Sequence, residues 1–323
     1  MARIDELRLI SRIARMYFEL GIKQAEISRQ LGISQATVSR FLERAKEEGI
    51  VRISVTIPPG VNSELEEALI YHYKLRDAIV VDCYSDTDES IINRDIGAAA
   101  AYYLETAINH NEIIGISSWS SALLALVDAF HPAQRRNFIR VIQILGGVGN
   151  PTAEAHANRL TSRLAMLVDG EAVFLPVPGI LGSEKSLKVL EQDPYVQKAI
   201  QMFDEVTLAL VGIGALQPSN LLKESGNIFT DEELSLLSSR GAVGDALLRF
   251  FDIEGNPVHS VLNERVFSMK LEQLRKVDRA IGVAGGERKR MAILGALRGK
   301  YINILVTDTC TAKWLVERTK MPS

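Results

Sequence analysis

The sequence predicts an α/β protein with a small helical domain at its N-terminus, and two observations lead to this fold class. After residue 63, short apolar runs alternate with helical segments, and the runs lack polar alternation. Such runs are typical of strands buried on both faces, in a mostly parallel sheet covered by helices. Before Pro58 the pattern is helical, and a length of 323 residues favours two domains.

The composition is that of a globular chain, with 47% hydrophobic and 24% charged residues. Cys83 and Cys310 are the two cysteines and show no CxxC spacing, so we expect a cytoplasmic protein without disulfides. The charged N-terminus lacks a signal-peptide pattern, and no apolar run reaches the roughly 18 residues of a membrane span. The five histidines lack metal-ligand spacing, so we expect neither a metal site nor a cofactor.

Charge is distributed unevenly along the chain. Residues 1–57 contain ten basic and seven acidic side chains, whereas the whole chain has a formal net charge of −3. A basic domain joined to an acidic one fits a nucleic-acid-binding module attached to a domain that does not touch nucleic acid. A chance fluctuation would look the same, so charge alone does not decide between the two.

Turn-forming residues separate the two domains. The segment Pro58-Pro59-Gly60 follows residues 51–57, whose alternation predicts a strand leading out of the small domain in a winged arrangement. We therefore place a helix-turn-helix domain at 1–57, a linker at 58–62 and a larger domain at 63–323.

Residues 24–42 carry the helix-turn-helix pattern. Ile27 and Leu31 share one helix face, and Gly32 follows where a helix ends with positive φ. Ser34 is a good N-cap for a second helix, in which Val38 and Leu42 face inward. An ordinary pair of helices is the alternative, but a Gly-apolar-Ser turn with apolar residues in register on both sides favours DNA binding.

Short polar and basic side chains suit base edges and phosphates in a major groove. The predicted DNA-contacting residues are Gln24, Ser34, Gln35, Thr37, Ser39, Arg40 and Arg44.

The larger domain is predicted to alternate strands with helices. The strand runs are 78–81, 113–116, 138–145, 173–176, 207–212, 280–284 and 303–307, and the helical segments include 91–108, 122–130, 153–168, 287–298 and 312–318. Residues 250–258 interrupt this rhythm, because Glu-Gly-Asn-Pro lies between two short β-like runs and predicts an inserted hairpin.

Three glycine- or serine-rich segments follow predicted strands. The segment Ser117, Ser118, Trp119, Ser120 and Ser121 opens a helix, so its hydroxyls and backbone N–H groups suit a phosphate. Gly146, Gly147 and Gly149 follow the next strand, and Gly212 and Gly214 a third. Parallel sheets bind ligands at the carboxyl ends of their strands, so we expect one shared pocket. Trp119 could stack on the ligand or pack in the core.

From its second helix to its end, the chain resembles the SorC-type sugar-binding transcriptional regulators, also called the DeoR-like sugar-binding family. The resemblance covers LGISQATVSRFLERAKEEGIVRISV at 31–55, IIGISSWSSAL at 113–123, VIQILGGVG at 141–149, LALVGIGA at 208–215, GAVGDALLRFFDIEG at 241–255 and IGVAGGERKRMAILGALRGKYINILVTD at 281–308. It implies an effector domain similar to the phosphosugar isomerase and glucosamine-phosphate deaminase fold, sugar-phosphate ligands and homo-tetramers bound to double-stranded operator DNA.

The resemblance also implies roles for two residues. Asp245, which we place in a loop, would accept sugar hydroxyls, with a helix N-cap as the alternative role. Lys289, at the start of a helix, would contact the phosphate or a sugar oxygen, whereas Arg288 and Arg290 are interpreted as solvated surface charges. The segment 117–121 has one residue more than the common Gly-Ile-Ser-Trp-Gly form, which leaves open which serine contacts the phosphate.

These expectations combine into one function. The sequence predicts a DNA-binding regulator of carbohydrate metabolism that is not an enzyme, whose operator affinity changes with a phosphorylated sugar. Self-association through the larger domain, with help from residues 63–73, would pair the half-sites of an operator. The alternative is a sugar-phosphate isomerase or deaminase with a DNA-binding domain, in which Asp245 would be the candidate base.

Overall fold

The structure is a computed structural model that describes residues 2–51, 62–132, 138–148, 151–226 and 229–319, without the side chains of 2–5, 151–157 and 261. Contacts divide the chain into two compact units, Met1–Pro58 and Pro59–Ser323, and each unit is considered by itself. The predicted strand at 51–57, beyond Val51, and the predicted linker, before Asn62, lie outside the described residues.

The N-terminal unit is a three-helix domain. Its helices are α1 (Ala2–Phe18), α2 (Gln24–Leu31) and α3 (Gln35–Glu47). All three helices contribute to one small core, formed by Ile10, Ile13, Ala14, Met16, Ile27, Val38, Leu42 and Ala45. The inward positions that were read from the sequence, Ile27 on α2 with Val38 and Leu42 on α3, are buried there.

The second unit is built on a parallel sheet. Its strands are β1 (Asp77–Val81), β2 (Ile113–Ile116), β3 (Arg140–Gln143), β4 (Glu171–Val173), β5 (Leu208–Ala215), β6 (Ala242–Ala246), β7 (Arg249–Asp252), β8 (Arg279–Val283) and β9 (Ile304–Asp308). Seven of them pair in parallel in the order β1-β9-β8-β5-β2-β3-β4, and β6 and β7 extend the end of β5 in antiparallel pairing. The predicted α/β fold with a mostly parallel sheet is confirmed.

Helices cover both faces of this sheet. They are α4 (Ser63–Tyr73), α5 (Glu89–Ala107), α6 (Ser121–Ala129), α7 (Pro151–Leu167), α8 (Glu184–Glu191), α9 (Pro194–Gln201), α10 (Asn220–Ser225), α11 (Asp231–Ser239), α12 (Leu271–Leu274), α13 (Arg290–Arg298) and α14 (Thr309–Thr319). Alternate residues of β5 enter opposite cores: Leu208 and Leu210 pack on one face, Ala209 and Val211 on the other. Among the described residues, no helix is long and apolar enough to cross a membrane.

The predicted hairpin at 250–258 is present, and its first run also belongs to a second hairpin. Arg249–Asp252 pairs with the preceding strand Ala242–Ala246, and the turn between them is Leu247-Leu248. The predicted second run pairs with the first around an antiparallel bridge between Phe251 and Pro257, and the Val258 N–H donates to the Phe250 carbonyl. The hairpin between β6 and β7 was not predicted, because a Leu-Leu pair carries none of the Gly or Asn chemistry that marks a two-residue hairpin turn.

Candidate functional site

The turn between α2 and α3 has the geometry predicted for a helix-turn-helix. Gly32 ends α2 in the left-handed conformation, at φ 65°, and its N–H donates to the Ser28 carbonyl. The Ser28 hydroxyl donates to the Ile33 carbonyl at 2.6 Å, which ties the turn to α2. Ser34 caps α3 by accepting the Thr37 N–H at 3.1 Å. The two helices are therefore fixed in orientation by the turn itself.

The predicted DNA-contacting residues differ in their exposure and hydrogen bonding. Gln35, Ser39 and Arg40 are exposed on α3, and the first turn of this helix has no acidic residue. The Ser34 and Thr37 hydroxyls are hydrogen-bonded to each other at 2.8 Å, so both also serve the helix cap. An exposed helix start without carboxylates favours the approach of DNA phosphates.

Arg44 is held by ion pairs within the N-terminal domain. Its guanidinium forms 2.6 Å ion pairs with Glu6 of α1 and Glu48. Hydrogen bonds to these two carboxylates raise the Arg44 pKa above its usual value. The residue joins α1 to the end of α3, which gives it a structural role that the sequence interpretation did not include.

In the second unit, a cavity of about 370 Å³ opens where three neighbouring strands end. These strands are β2, β5 and β8, which lie side by side with β5 in the centre. The segments that follow β2 and β8 carry the predicted serines and Lys289, and β6 places Asp245 in the same wall. Eight predicted residues line the cavity: Ser117, Trp119, Ser120, Ser121, Gly212, Gly214, Asp245 and Lys289.

The serine segment combines a helix cap with structural hydrogen bonds. Ser120 caps α6 by accepting the Leu123 N–H, so the N-terminus of α6 begins at the cavity wall. The buried Ser118 donates its hydroxyl to the Leu145 carbonyl at 2.7 Å and does not line the cavity. The Trp119 indole donates to the Gly146 carbonyl at 2.9 Å, so this side chain both packs in the core and lines the cavity.

Two glycines of β5 allow the polar wall to form. A Cβ at Gly212 would collide with the Ser120 hydroxyl, and one at Gly214 would collide with the Asp245 carboxylate. Both side chains therefore pass directly over the backbone of β5. The glycine-rich strand end that was read as a ligand loop is in fact strand, and its glycines make room for two neighbours that line the cavity.

Asp245 lies in strand β6 and not in a loop, which corrects the sequence interpretation. It does not cap a helix either, since its carboxylate accepts the Leu248 N–H at 2.9 Å across the hairpin turn. The residue is 8% exposed. Burial raises its pKa from 3.8 to about 6, against the opposing effects of the Leu248 hydrogen bond and the Lys289 charge.

The hairpin turn beside Asp245 is strained. Leu247 and Leu248 both have φ near +60°, a conformation that β-carbon sterics disfavour outside glycine, asparagine and aspartate. Both leucines are buried and line the cavity. The Asp245 carboxylate holds the turn by its hydrogen bond, and strain of this kind persists where the surroundings over-determine it, commonly at ligand sites.

The cationic side of the cavity consists of consecutive residues. Lys289 lies in a short 3-10 turn, Glu287–Lys289, before α13, and not within the predicted helix. Burial lowers its pKa, and no hydrogen bond contributes to that shift. Arg288 also lines the cavity; it is exposed, as interpreted, but it is ion-paired with Glu89, which was not predicted.

The described glycines of the second glycine-rich segment do not line this cavity. Gly146 and Gly147 are not among its lining residues, and Gly149 lies outside the described residues. A Cβ at Gly146 would come within 2.5 Å of the Pro178 carbonyl carbon, and one at Gly147 within 2.9 Å of the Gln143 amide carbon. Close packing against these neighbours explains both glycines without a ligand.

Several lining residues carried no sequence signal. Glu89, Asn93 and Arg94 come from the start of α5, and Ser219 and Asn220 from the start of α10. Helix α5 follows β1, which lies at the far edge of the sheet, so chain order alone does not bring it to the ends of β2 and β5.

Replacing Asp245 by asparagine is expected to stabilise the effector-free second unit above pH 6, by about 3 kcal/mol. The unfolded carboxyl group ionises near pH 4, whereas the folded one holds its proton until about pH 6. Ionising the buried group therefore destabilises the wild type progressively between these values, and the asparagine variant escapes this loss. Thermal unfolding of both proteins from pH 4 to 8 measures the difference. A difference that does not grow over this range would contradict the raised pKa.

Comparison with known proteins follows the same division of the chain. A family model described as a putative sugar-binding domain matches residues 58–317. A model described as a winged helix-turn-helix DNA-binding domain matches residues 21–52.

Full-length relatives are regulators. The deoxyribonucleoside regulator of Bacillus subtilis is 33% identical over 97% of this chain and 98% of its own length. The sorbitol operon regulator of Klebsiella pneumoniae is 32% identical over 98% of this chain and 100% of its own. The crystal structure of that full-length regulator, SorC, matches 97% of this chain and 99% of its own with a TM-score of 0.72.

The helix-turn-helix, the parallel sheet and the full-length matches agree with one another, and the resemblance noted from the sequence is confirmed. The chain belongs to the SorC/DeoR-type family of sugar-binding transcriptional regulators.

Proposed function

We propose that this regulator controls carbohydrate metabolism and changes its operator affinity when a phosphorylated sugar occupies the cavity at the ends of β2, β5 and β8. The proposal is supported by three groups in one cavity: the N-terminus of α6, the Lys289 ammonium, which has no side-chain hydrogen bond among the described residues, and the buried Asp245 carboxylate. The first two suit a phosphate, and the third suits hydroxyl groups.

The phosphate would lie at the start of α6. The serine hydroxyls at positions 117, 120 and 121 line the wall there, and backbone N–H groups of the first turn add the favourable end of the helix dipole. Lys289 supplies the mobile positive charge. Burial lowers its pKa against the opposing charges of Glu89 and Asp245, and a phosphate dianion would add a direct anionic partner.

The sugar body would lie against Asp245. A carboxylate accepts hydrogen bonds from two hydroxyls without donating, and a pKa of about 6 leaves it largely ionised at neutral pH. Because the same carboxylate holds the strained Leu247-Leu248 turn, a ligand that engages Asp245 also acts on this turn. We propose this turn as the first element to respond to the effector.

The enzyme alternative needs a second group that can transfer a proton beside Asp245. Among the described residues, the other carboxylate of the cavity wall, Glu89, is held in an ion pair with Arg288, and Lys289 is assigned to the phosphate. We therefore propose a regulator without catalytic activity. We also propose that it acts in the cytoplasm and needs neither a cofactor nor a metal. Turnover of any member of a panel of aldose and ketose phosphates would overturn the first of these two proposals.

Replacing Arg40 by alanine is expected to weaken operator binding by about 1–3 kcal/mol if its guanidinium reads a guanine. Arg40 is exposed on α3, the helix proposed to enter the major groove. Fluorescence anisotropy with a DNA fragment selected by the protein from a random library measures the effect. Arg15→Ala, which removes an exposed arginine of α1, is the matched control. Equal affinities of wild type and the Arg40 variant would show that another face reads DNA.

We also propose that the regulator is a homo-tetramer, assembled through the α/β unit with help from α4. One helix-turn-helix makes too few contacts for specific binding, so paired half-sites require paired subunits. On α4, Tyr71 is 70% exposed and available for such contacts. Light scattering at micromolar concentration is expected to give four times the monomer mass of 35.7 kDa. A monomer, with and without DNA, would contradict the proposal.

A further inference from the structure

The cationic side chains of the cavity wall differ in whether they have an ion-pair or hydrogen-bond partner. Arg288 forms a two-point ion pair with Glu89, with Nη2 to Oε2 at 2.8 Å, and its Nη1 donates to the Gln217 carbonyl at 2.8 Å. Arg94 is paired with Asp95 at 2.9 Å. In the described part of the chain, Lys289 is the wall cation with neither an ion pair nor a side-chain hydrogen bond.

Glu89 is a stable anion. The Arg288 hydrogen bond, the largest influence on it, holds the Glu89 pKa below its usual range, and the Arg288 and Lys289 charges act in the same direction. A ligand anion that approached Arg288 would have to displace this carboxylate or lie beside it. Asp245, on β6, adds a second carboxylate to the wall. Like charges placed side by side in a binding site disfavour the wrong partner by several kcal/mol.

The neutral part of the wall suits hydroxyl groups. Ser90 and Asn93 from α5 and Asn220 from α10 offer uncharged donors and acceptors. Within the described ranges, the cavity wall thus combines one unpaired cation, Lys289, and the N-terminus of α6 with two carboxylates and several neutral polar groups.

We infer that the effector is a sugar monophosphate with an uncharged, hydroxyl-bearing body, and that Glu89 determines this specificity by occupying Arg288, so that bisphosphates and phosphorylated sugar acids are rejected. The inference rests on the proposed function and defines its ligand class. Glu89 acts through Arg288 and through its own charge, and it need not touch the monophosphate.

Calorimetric titration of the full chain tests this inference with matched ligands. The probes are glucose 6-phosphate, glucose 1,6-bisphosphate and 6-phosphogluconate, with fructose 6-phosphate and fructose 1,6-bisphosphate as a second series. The wild type is expected to bind at least one monophosphate about tenfold or more tightly than its doubly anionic relatives.

Three variants separate charge from structure. Glu89→Gln removes the charge but keeps an oxygen that can accept a hydrogen bond from Arg288. It should reduce the ratio of monophosphate affinity to bisphosphate affinity by about tenfold. Glu89→Asp keeps the charge and should retain the preference. Glu254→Gln removes a carboxylate of another arginine pair, with Arg298, away from the cavity wall, and should change nothing.

The outcomes are distinct. Equal wild-type affinities for monophosphate and bisphosphate, or an unchanged preference in a folded Glu89→Gln variant, would overturn the inference and leave the proposed function intact. Binding of none of these phosphates, nor of any in a wider panel of pentose and hexose phosphates, would overturn the proposed function, and the inference would fall with it. Circular dichroism confirms that each variant is folded.

Discussion

Replacing Lys289 by alanine is expected to weaken binding of a sugar phosphate by about 2–5 kcal/mol, which is the usual effect of truncating one partner of a buried charge pair. The ammonium group lies in the cavity wall and has no other partner among the described residues. Its loss would leave the phosphate with hydroxyl and N–H donors alone. The affinity for the corresponding unphosphorylated sugar should change little, because Lys289 is assigned to the phosphate.

The ratio of affinities for the phosphorylated and the free sugar distinguishes loss of the Lys289–phosphate contact from misfolding of the α/β unit. Calorimetry with both ligands measures it, and Lys276→Ala, which removes an exposed lysine outside the cavity wall, is the matched control. Asp245→Ala should instead reduce both affinities, since it removes a hydroxyl contact common to the two sugars. A Lys289 variant with wild-type affinity for the phosphorylated sugar would exclude this residue from the site.

Replacing Gly212 by alanine is expected to remove effector binding and to destabilise the α/β unit by about 1–3 kcal/mol, as overpacking does. The new methyl group would lie 2.8 Å from the Ser120 Cβ and closer still to its hydroxyl. Ser120 would have to move, and with it the cap of α6 and the proposed phosphate position. DNA binding should persist, because Gly212 belongs to the other unit.

Gly182→Ala provides the control for this substitution. A Cβ at Gly182 meets nothing within 4 Å, and its φ is not positive, so the same chemical change should be tolerated there. Thermal unfolding and calorimetry of both variants give the comparison. If Gly212→Ala bound a sugar phosphate as tightly as Gly182→Ala, the packing of Ser120 over β5 would not be needed for the site.

Much of the fold could be predicted because buried strands and helix caps leave local signals. The run 113–116 matches strand β2, and Gly32 with Ser34 marks the turn between α2 and α3. These features depend on neighbours in the chain, on glycine at positive φ and on a serine that accepts an N–H. The helix predicted at 287–298 failed in its first turn, where a 3-10 turn sets the position of Lys289.

The cavity was only partly predictable, since it depends on which strands lie side by side. The serine segment after β2 and Lys289 after β8 were identified, yet Gly146 and Gly147 after β3 were assigned to the same pocket and lie outside its wall. Glycine marks close backbone packing as readily as it marks a ligand loop, and the two uses look alike in sequence. Likewise, the ion pair of Arg288 was not predicted because its partner Glu89 is 199 residues away.

Asp245 shows the same limit at a single residue. Its importance was recognised through family resemblance, but its environment was not, because the strand that holds it ends in a Leu-Leu turn that no local rule favours. Tertiary packing overrides local preference at this turn, and the override coincides with the proposed ligand wall. Such conflicts between local and global structure are expected at functional sites.

We propose that a ligand in this cavity alters operator binding by the same chain. The most direct test is the affinity of the full-length protein for its selected operator fragment, measured by fluorescence anisotropy, as a sugar phosphate found by thermal-shift screening is added. Reciprocal linkage requires a change in operator affinity, in one direction or the other, that saturates at the ligand affinity of the cavity. We expect this change for wild type. For Lys289→Ala we expect the same operator affinity without ligand, but no change in it at the ligand concentration that saturates wild type. An equal response of both proteins, or none in wild type with the cavity occupied, would show that the cavity does not control operator binding.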